Sequence, residues 1–70
     1  MKREFAAVVK RDGDWWIGWI EEIPGVNSQG RTREELMENL HSALNEMLEM
    51  NRDSARGAAG EDFEEVVISA

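Results

Sequence analysis

The sequence predicts an α+β fold: a small antiparallel sheet with one helix packed on one face, in the chain order β-β-β-α-β. Three observations carry this. Two strand-like apolar runs, residues 2–11 and 15–22, flank the turn signal Asp12-Gly13-Asp14. A Pro-Gly follows at Pro24-Gly25, where a fixed φ and a missing N–H meet a residue free to take positive φ, so the strand must break there. The single long stretch of three- and four-residue apolar spacing then begins near Arg33.

In the first strand Phe5, Ala7 and Val9 share one face and Ala6 and Val8 the other. In the second, Trp15, Ile17 and Trp19 fall on one face and Trp16, Gly18 and Ile20 on the other. Residues 26–30 are short and polar and give a third strand turning back beside the second. Gly30 reads as a second flexible point before the helix. Thr32 reads as its N-cap, with Glu35 three residues on to complete a capping box. The helix is expected over about 33–50. Its apolar stripe is Leu36, Leu40, Ala43, Leu44, Met47 and Leu48, its solvent side Glu34, Glu38, Asn45 and Glu49. Asn51 and Arg52 are expected to end it. Residues 52–61 are small, polar and Gly-rich and read as a mobile connection. Phe63-Glu64-Glu65-Val66-Val67-Ile68 reads as a last strand, entering the sheet through Phe63 and Val67 or through Val66 and Ile68.

Seventy residues make one domain, 1–70, and a chain this short buries only about 60% of the surface its unfolded form exposes. With no Cys, neither a disulfide nor a thiolate metal site can staple it, so oligomerisation is the expected remedy. A net charge of −7 disfavours phosphate backbones and anionic lipid and favours basic partners. The first residues carry no leader pattern and no apolar run approaches membrane-spanning length, so a soluble, cytoplasmic protein is expected.

Residue types that could carry chemistry have simpler explanations here. Asp12 and Asp14 surround a turn Gly, where Asp is favoured for local hydrogen bonds, and Glu21 and Glu22 point to opposite sides of a strand. His41 is the only histidine and sits beside the apolar stripe. Ser28, Ser42, Ser54 and Ser69 lack a nucleophile-elbow context, and Gly57-Ala58-Ala59-Gly60 has no Lys-Ser/Thr after it. Lys2, Arg3, Lys10, Arg11, Arg31 and Arg33 are scattered among twice as many acids, so direct nucleic-acid binding is not expected. No catalytic, cofactor or metal residue is assigned. The second strand is different. One helix covers one face of a sheet, yet this strand is apolar on both, so Trp15, Trp16, Ile17, Trp19 and Ile20 are the candidate interface with a second copy or a partner. The alternative is that the connection or the last strand folds back over the second face. Pro24, Gly25, Gly30, Thr32 and Glu35 are assigned to the fold.

The run from Gly13 to Leu36, with its aromatic strand, Pro24-Gly25, Gln29-Gly30-x-Thr32 and Glu34-Glu35, continuing into Glu38-Asn39-Leu40, resembles the HicB-like antitoxin family. The resemblance covers about residues 4–50. It implies three strands, a helix and a further strand, a degraded ribonuclease-H-like unit without catalytic function of its own. It also implies a dimer or tetramer that neutralises a small basic HicA-type ribonuclease by covering its active surface. Many longer relatives add a C-terminal DNA-binding segment; none follows the last strand in this sequence, so the short form is expected. Two other readings stay open. One is an orphan oligomeric domain that binds a small molecule or another protein. The other is a metal-dependent nuclease, which needs several acidic side chains converging on one site.

Overall fold

The computed structural model describes residues 4–69. They form β1 (Ala7–Asp12), β2 (Trp15–Ile20), β3 (Asn27–Gly30) and α1 (Arg33–Ala59). The architecture is α+β: a three-stranded antiparallel sheet in the order β1-β2-β3, followed by one long helix. The β1–β2 hairpin turns at Gly13, whose φ of 63° suits the tight turn, and pairs Ala7 with Ile20, Val9 with Gly18 and Arg11 with Trp16. β3 pairs with the other side of β2, Gly30 opposite Trp16 and Asn27 opposite Trp19. Between β2 and β3 the chain turns through Pro24-Gly25, with Gly25 at φ 89°, and the Ile20 N–H donates to the Val26 carbonyl across the turn.

The helix starts as expected. Thr32 is extended at φ −125° and ψ 163°, and its Oγ1 accepts from the Glu35 N–H at 3.0 Å. Only this half of the capping box forms among the described residues; no hydrogen bond returns from the Thr32 N–H to the Glu35 carboxylate. Gly30 is required for a different reason from the flexibility expected of it. Its φ is not positive; instead a Cβ there would lie 2.6 Å from the Leu36 N and 3.0 Å from the Glu35 carbonyl carbon. The end of β3 thus touches the helix backbone where only hydrogen fits. Asn39 adds a second tie, its Nδ2 donating to the Gln29 carbonyl at 2.8 Å.

The core is small: Ile20, Val26, Leu36 and Leu40 are buried, each worth about 1.5–3 kcal/mol of apolar transfer. The expected stripe is the buried one, with Ala43, Leu44, Met47 and Leu48 half-buried in line with Leu36 and Leu40. Gly18 lets the helix approach the sheet: a Cβ there would meet the Val8 carbonyl at 2.9 Å and Leu40 Cδ1 at 3.2 Å.

Three boundaries differ from the sequence reading. Residues 4–6 precede the ladder of β1, while residues 1–3 lie outside the described part. β2 ends at Ile20, not at Glu22, because Glu22 turns its carboxylate back to accept the Ala6 N–H at 2.9 Å. The helix does not stop near Asn51. It runs through the expected connection to Ala59, because Arg52, Ala55, Arg56, Ala58 and Ala59 are good helix formers that outweigh Gly57. Gly60, at φ 83°, then ends it, its N–H donating to the Arg56 carbonyl.

The last expected strand is also corrected. Residues 61–69 pair with no described strand, although their sequence is strand-like. They fold back beside the helix end, where Glu65 meets Arg56 at 2.5 Å in an exposed ion pair. That hydrogen bond, with the attraction of the opposite charge, lowers the Glu65 carboxyl below the usual glutamate value and raises Arg56.

Candidate functional site

The helix packs on the side of the sheet to which Gly18 points, so strand alternation fixes the rest. Trp16, Gly18 and Ile20 face the helix; Trp15, Ile17 and Trp19 face away. Val8, Lys10 and Asp12 stand beside them on β1, opposite Trp19, Ile17 and Trp15 respectively, and Asn27 and Gln29 stand on β3 opposite Trp19 and Ile17. This second face is covered by no described element. Trp15 is 36% and Trp19 42% exposed, with Val8 and Ile17 half-buried between them. The tail does not cover it either, since residues 61–69 lie by the far end of the helix.

The five candidate interface residues therefore divide. Ile20 is only 6% exposed and belongs to the core, where burial against the helix removes it from any contact surface. Trp16 is half-buried on the helix side, with the Arg11 guanidinium 5.7 Å from its ring centroid. Trp15, Ile17 and Trp19 remain as one apolar row. At its end Arg31 lies over Trp15 at 4.4 Å, a cation–π contact that holds a positive charge at the rim. Lys10 is exposed beside Ile17. Two exposed Trp with amide and cationic neighbours have the make-up of a protein-binding patch: apolar anchors inside a polar rim.

Of the fold residues, Pro24-Gly25 lie at the turn and Thr32 at the cap, while the Glu35 carboxylate makes no return bond to Thr32. Two positions carry more than the sequence suggested. Gly18 and Gly30 are contact glycines, and β-period alone gives no signal for them because the crowding comes from a helix that packs later in the chain. Lys10 and Arg31 also join the face only through the register and the turn into the helix.

The acidic residues are spread. Glu22 is engaged with the Ala6 N–H, and Arg11 rather than an Asp closes the hairpin, donating to the Gly13 carbonyl at 3.2 Å. Among the described residues no three His, Cys, Asp or Glu side chains stand close enough to hold one ion. An apolar cleft of about 420 Å³ opens between the free edge of β1 and the helix, lined by Phe5, Ala7, Ile20, Met37, Leu40 and Leu44, with Glu38 and His41 at its rim. Among the described residues no helix is long and apolar enough to cross a membrane.

No family model matches the sequence, and no solved structure matches it. A UPF0150 protein of Synechocystis sp. does: it is 37% identical over 71 residues, covering 97% of this chain and 97% of the relative. A match of that identity along the whole length establishes kinship, and the chain belongs to the UPF0150 family, which corresponds in general to the HicB-like proteins.

Proposed function

We propose that this protein is a non-enzymatic HicB-like antitoxin of the cytoplasm, which neutralises a small basic HicA-type ribonuclease by binding it directly. The observation that carries the reading is the uncovered sheet face, with Trp15 and Trp19 exposed around Ile17. Burying such a row against a partner gives the large apolar contribution that a few aromatic anchors supply at stable interfaces. The charge agrees: the chain is −7 overall, and the helix displays Glu34, Glu38, Glu46 and Glu49 to solvent. That net field attracts a basic protein at long range, while contact at the face itself rests on the aromatic row and the Asn27 and Gln29 amides, since Lys10 and Arg31 there carry the partner's own sign. Inhibition would be steric: the ribonuclease surface that binds RNA is the one covered. Among the described residues the carboxylates stand apart, which supports a binding role.

The test is co-expression with a short basic protein encoded next to this one, followed by size-exclusion chromatography with light scattering and an RNA-cleavage assay. A single stoichiometric complex with suppressed cleavage is expected, and loss of both in a Trp15→Ser/Trp19→Ser variant that still folds. A folded protein that ignores its basic neighbour refutes the antitoxin reading and leaves an orphan binding domain of the same family.

A further inference from the structure

The two exposed tryptophans of the open face are not equivalent. Trp15 already holds a cation: the Arg31 guanidinium lies 4.4 Å from its ring centroid, and Asp12 stands opposite it on β1. Among the described residues no cation lies over Trp19, which is the more exposed of the two. Its cross-strand neighbours are Val8 and Asn27, and neither carries a charge. A Trp ring left bare in this way keeps the negative face that attracts an ammonium or guanidinium group.

The chain beyond Trp19 adds the opposite charge. β2 ends at Ile20, but the Glu21 N–H still donates to the Ala6 carbonyl at 2.9 Å, while the Ile20 N–H turns the other way, to Val26. The backbone thus keeps its alternation for one residue past the strand, and Glu21 falls on the side of Trp19. Ala6, its neighbour across the ladder, is too small to cover it, and Glu21 is exposed. Glu22 brings a second carboxylate to this end, but one tied to the Ala6 N–H at 2.9 Å. A bare indole and a free carboxylate about 7 Å apart along one face make a receptor for one cationic side chain. The flat side of a guanidinium lies on the ring, and its N–H groups donate to the carboxylate.

The cations already on this face leave that point open. Trp15 and Trp19 are four residues apart, about 13 Å along an extended strand, which exceeds the screening length of about 8 Å at physiological salt. Arg31 therefore fills Trp15 without repelling a second cation at Trp19. Lys10 is nearer, diagonal to Trp19 across the β1–β2 ladder, but it is exposed and its long stem lets the ammonium swing into water. The row has one filled cation position and one empty one, a difference that its composition does not show.

We propose that Trp19 and Glu21 form the point at which the open face takes an arginine side chain of its basic partner, while Arg31 fills the corresponding place on Trp15. The identity of the partner rests on the antitoxin reading; the contact explains how a face bearing Lys10 and Arg31 accepts a protein of their own sign. Trp15 and Ile17 supply apolar contact, and the charged contact at Trp19 fixes which way round the partner lies along the row.

The experiment follows the three indole N–H signals of the full chain by NMR, assigned with Trp15→Phe, Trp16→Phe and Trp19→Phe, during titration with acetyl-Leu-Arg-Leu-amide at millimolar concentration. The counterpart with citrulline in place of arginine has nearly the same shape and no charge. The Trp19 signal is expected to move and saturate with the arginine peptide alone, and the Trp15 signal to stay. Glu21→Gln is expected to weaken the peptide by about threefold, the share of an exposed ion pair. Arg31→Ala, folded by circular dichroism, is expected to make the Trp15 signal respond as well. An unmoved Trp19 signal, an equal response to the citrulline peptide, an unchanged affinity in Glu21→Gln, or a Trp15 signal that responds first in wild type would each overturn the proposal. The peptide needs no ribonuclease, so the two readings fail separately. Peptide capture at Trp19 by a protein that ignores its basic neighbour refutes the antitoxin and leaves the arginine contact standing. A ribonuclease complex whose affinity survives Glu21→Arg refutes the contact and leaves the antitoxin standing.

Discussion

Replacing Gly30 by Ala tests the close approach on which the fold depends. The added Cβ would sit 2.6 Å from the Leu36 N, 3.0 Å from the Glu35 carbonyl carbon and 3.1 Å from the Glu35 Cβ. Two of these atoms are backbone, so no side-chain rotation relieves the contact. Restoring ordinary contact at 3.4 Å requires the first helical turn to retreat by about 0.8 Å, a distance at which packed interiors already resist. That turn carries the Leu36 N–H bond to the Thr32 carbonyl at 3.0 Å, the Thr32 cap and the fully buried Leu36. Overpacking costs about 1–3 kcal/mol and a disturbed cap about 1 kcal/mol more, giving an expected loss of about 2–4 kcal/mol. For a domain of this size that is a fall in Tm of roughly 10–30 °C. The control is Gly57→Ala. It lies in the helix near its end with nothing within 4 Å, and is expected to stabilise by about 0.5–1 kcal/mol. Urea and thermal unfolding followed by circular dichroism, at one protein concentration for all variants, measure both. A Gly30→Ala protein within 0.5 kcal/mol of wild type would refute the reasoning that close approach, not flexibility, fixes this residue.

Thr32→Ala is expected to lower stability by about 1 kcal/mol through loss of the Oγ1 bond to the Glu35 N–H, with affinity for any partner unchanged when compared among folded molecules. Trp16→Ala should act on stability, by about 2–4 kcal/mol, because the ring is half-buried against the helix; Trp15→Ser/Trp19→Ser should weaken partner binding by about 30-fold or more. Calorimetric unfolding together with binding titration separates the two, and the reverse pattern would mean that the faces are misassigned. The Glu65 carboxyl should titrate below an ordinary glutamate by NMR, and Arg56→Ala should return it upward. Since the folded value is the lowered one, the contact is present above the ordinary glutamate value and is lost as pH falls through the lowered value.

The sequence of this protein by itself determined its local events. Strand-like apolar runs around Asp12-Gly13-Asp14 specified a hairpin, Pro24-Gly25 a break, Thr32 a cap, and Leu36 to Leu48 the buried stripe. Each is a short-range consequence of backbone freedom or side-chain spacing, so each was legible before any contact was known. The end of the helix was less so, because Gly57 and the polar residues around it resemble a linker until the Ala and Arg propensities are added up. Tertiary structure decided what depends on residues far apart in the chain. It assigned Ile20 and Trp16 to the helix side and Trp15, Ile17 and Trp19 to the open side, since a strand apolar on both faces does not say which one the helix will take. It gave Gly18 and Gly30 their meaning as contact points. It also left Val66, Val67 and Ile68 exposed and outside the described sheet, because a helix reaching Ala59 carries the chain past the end of that sheet.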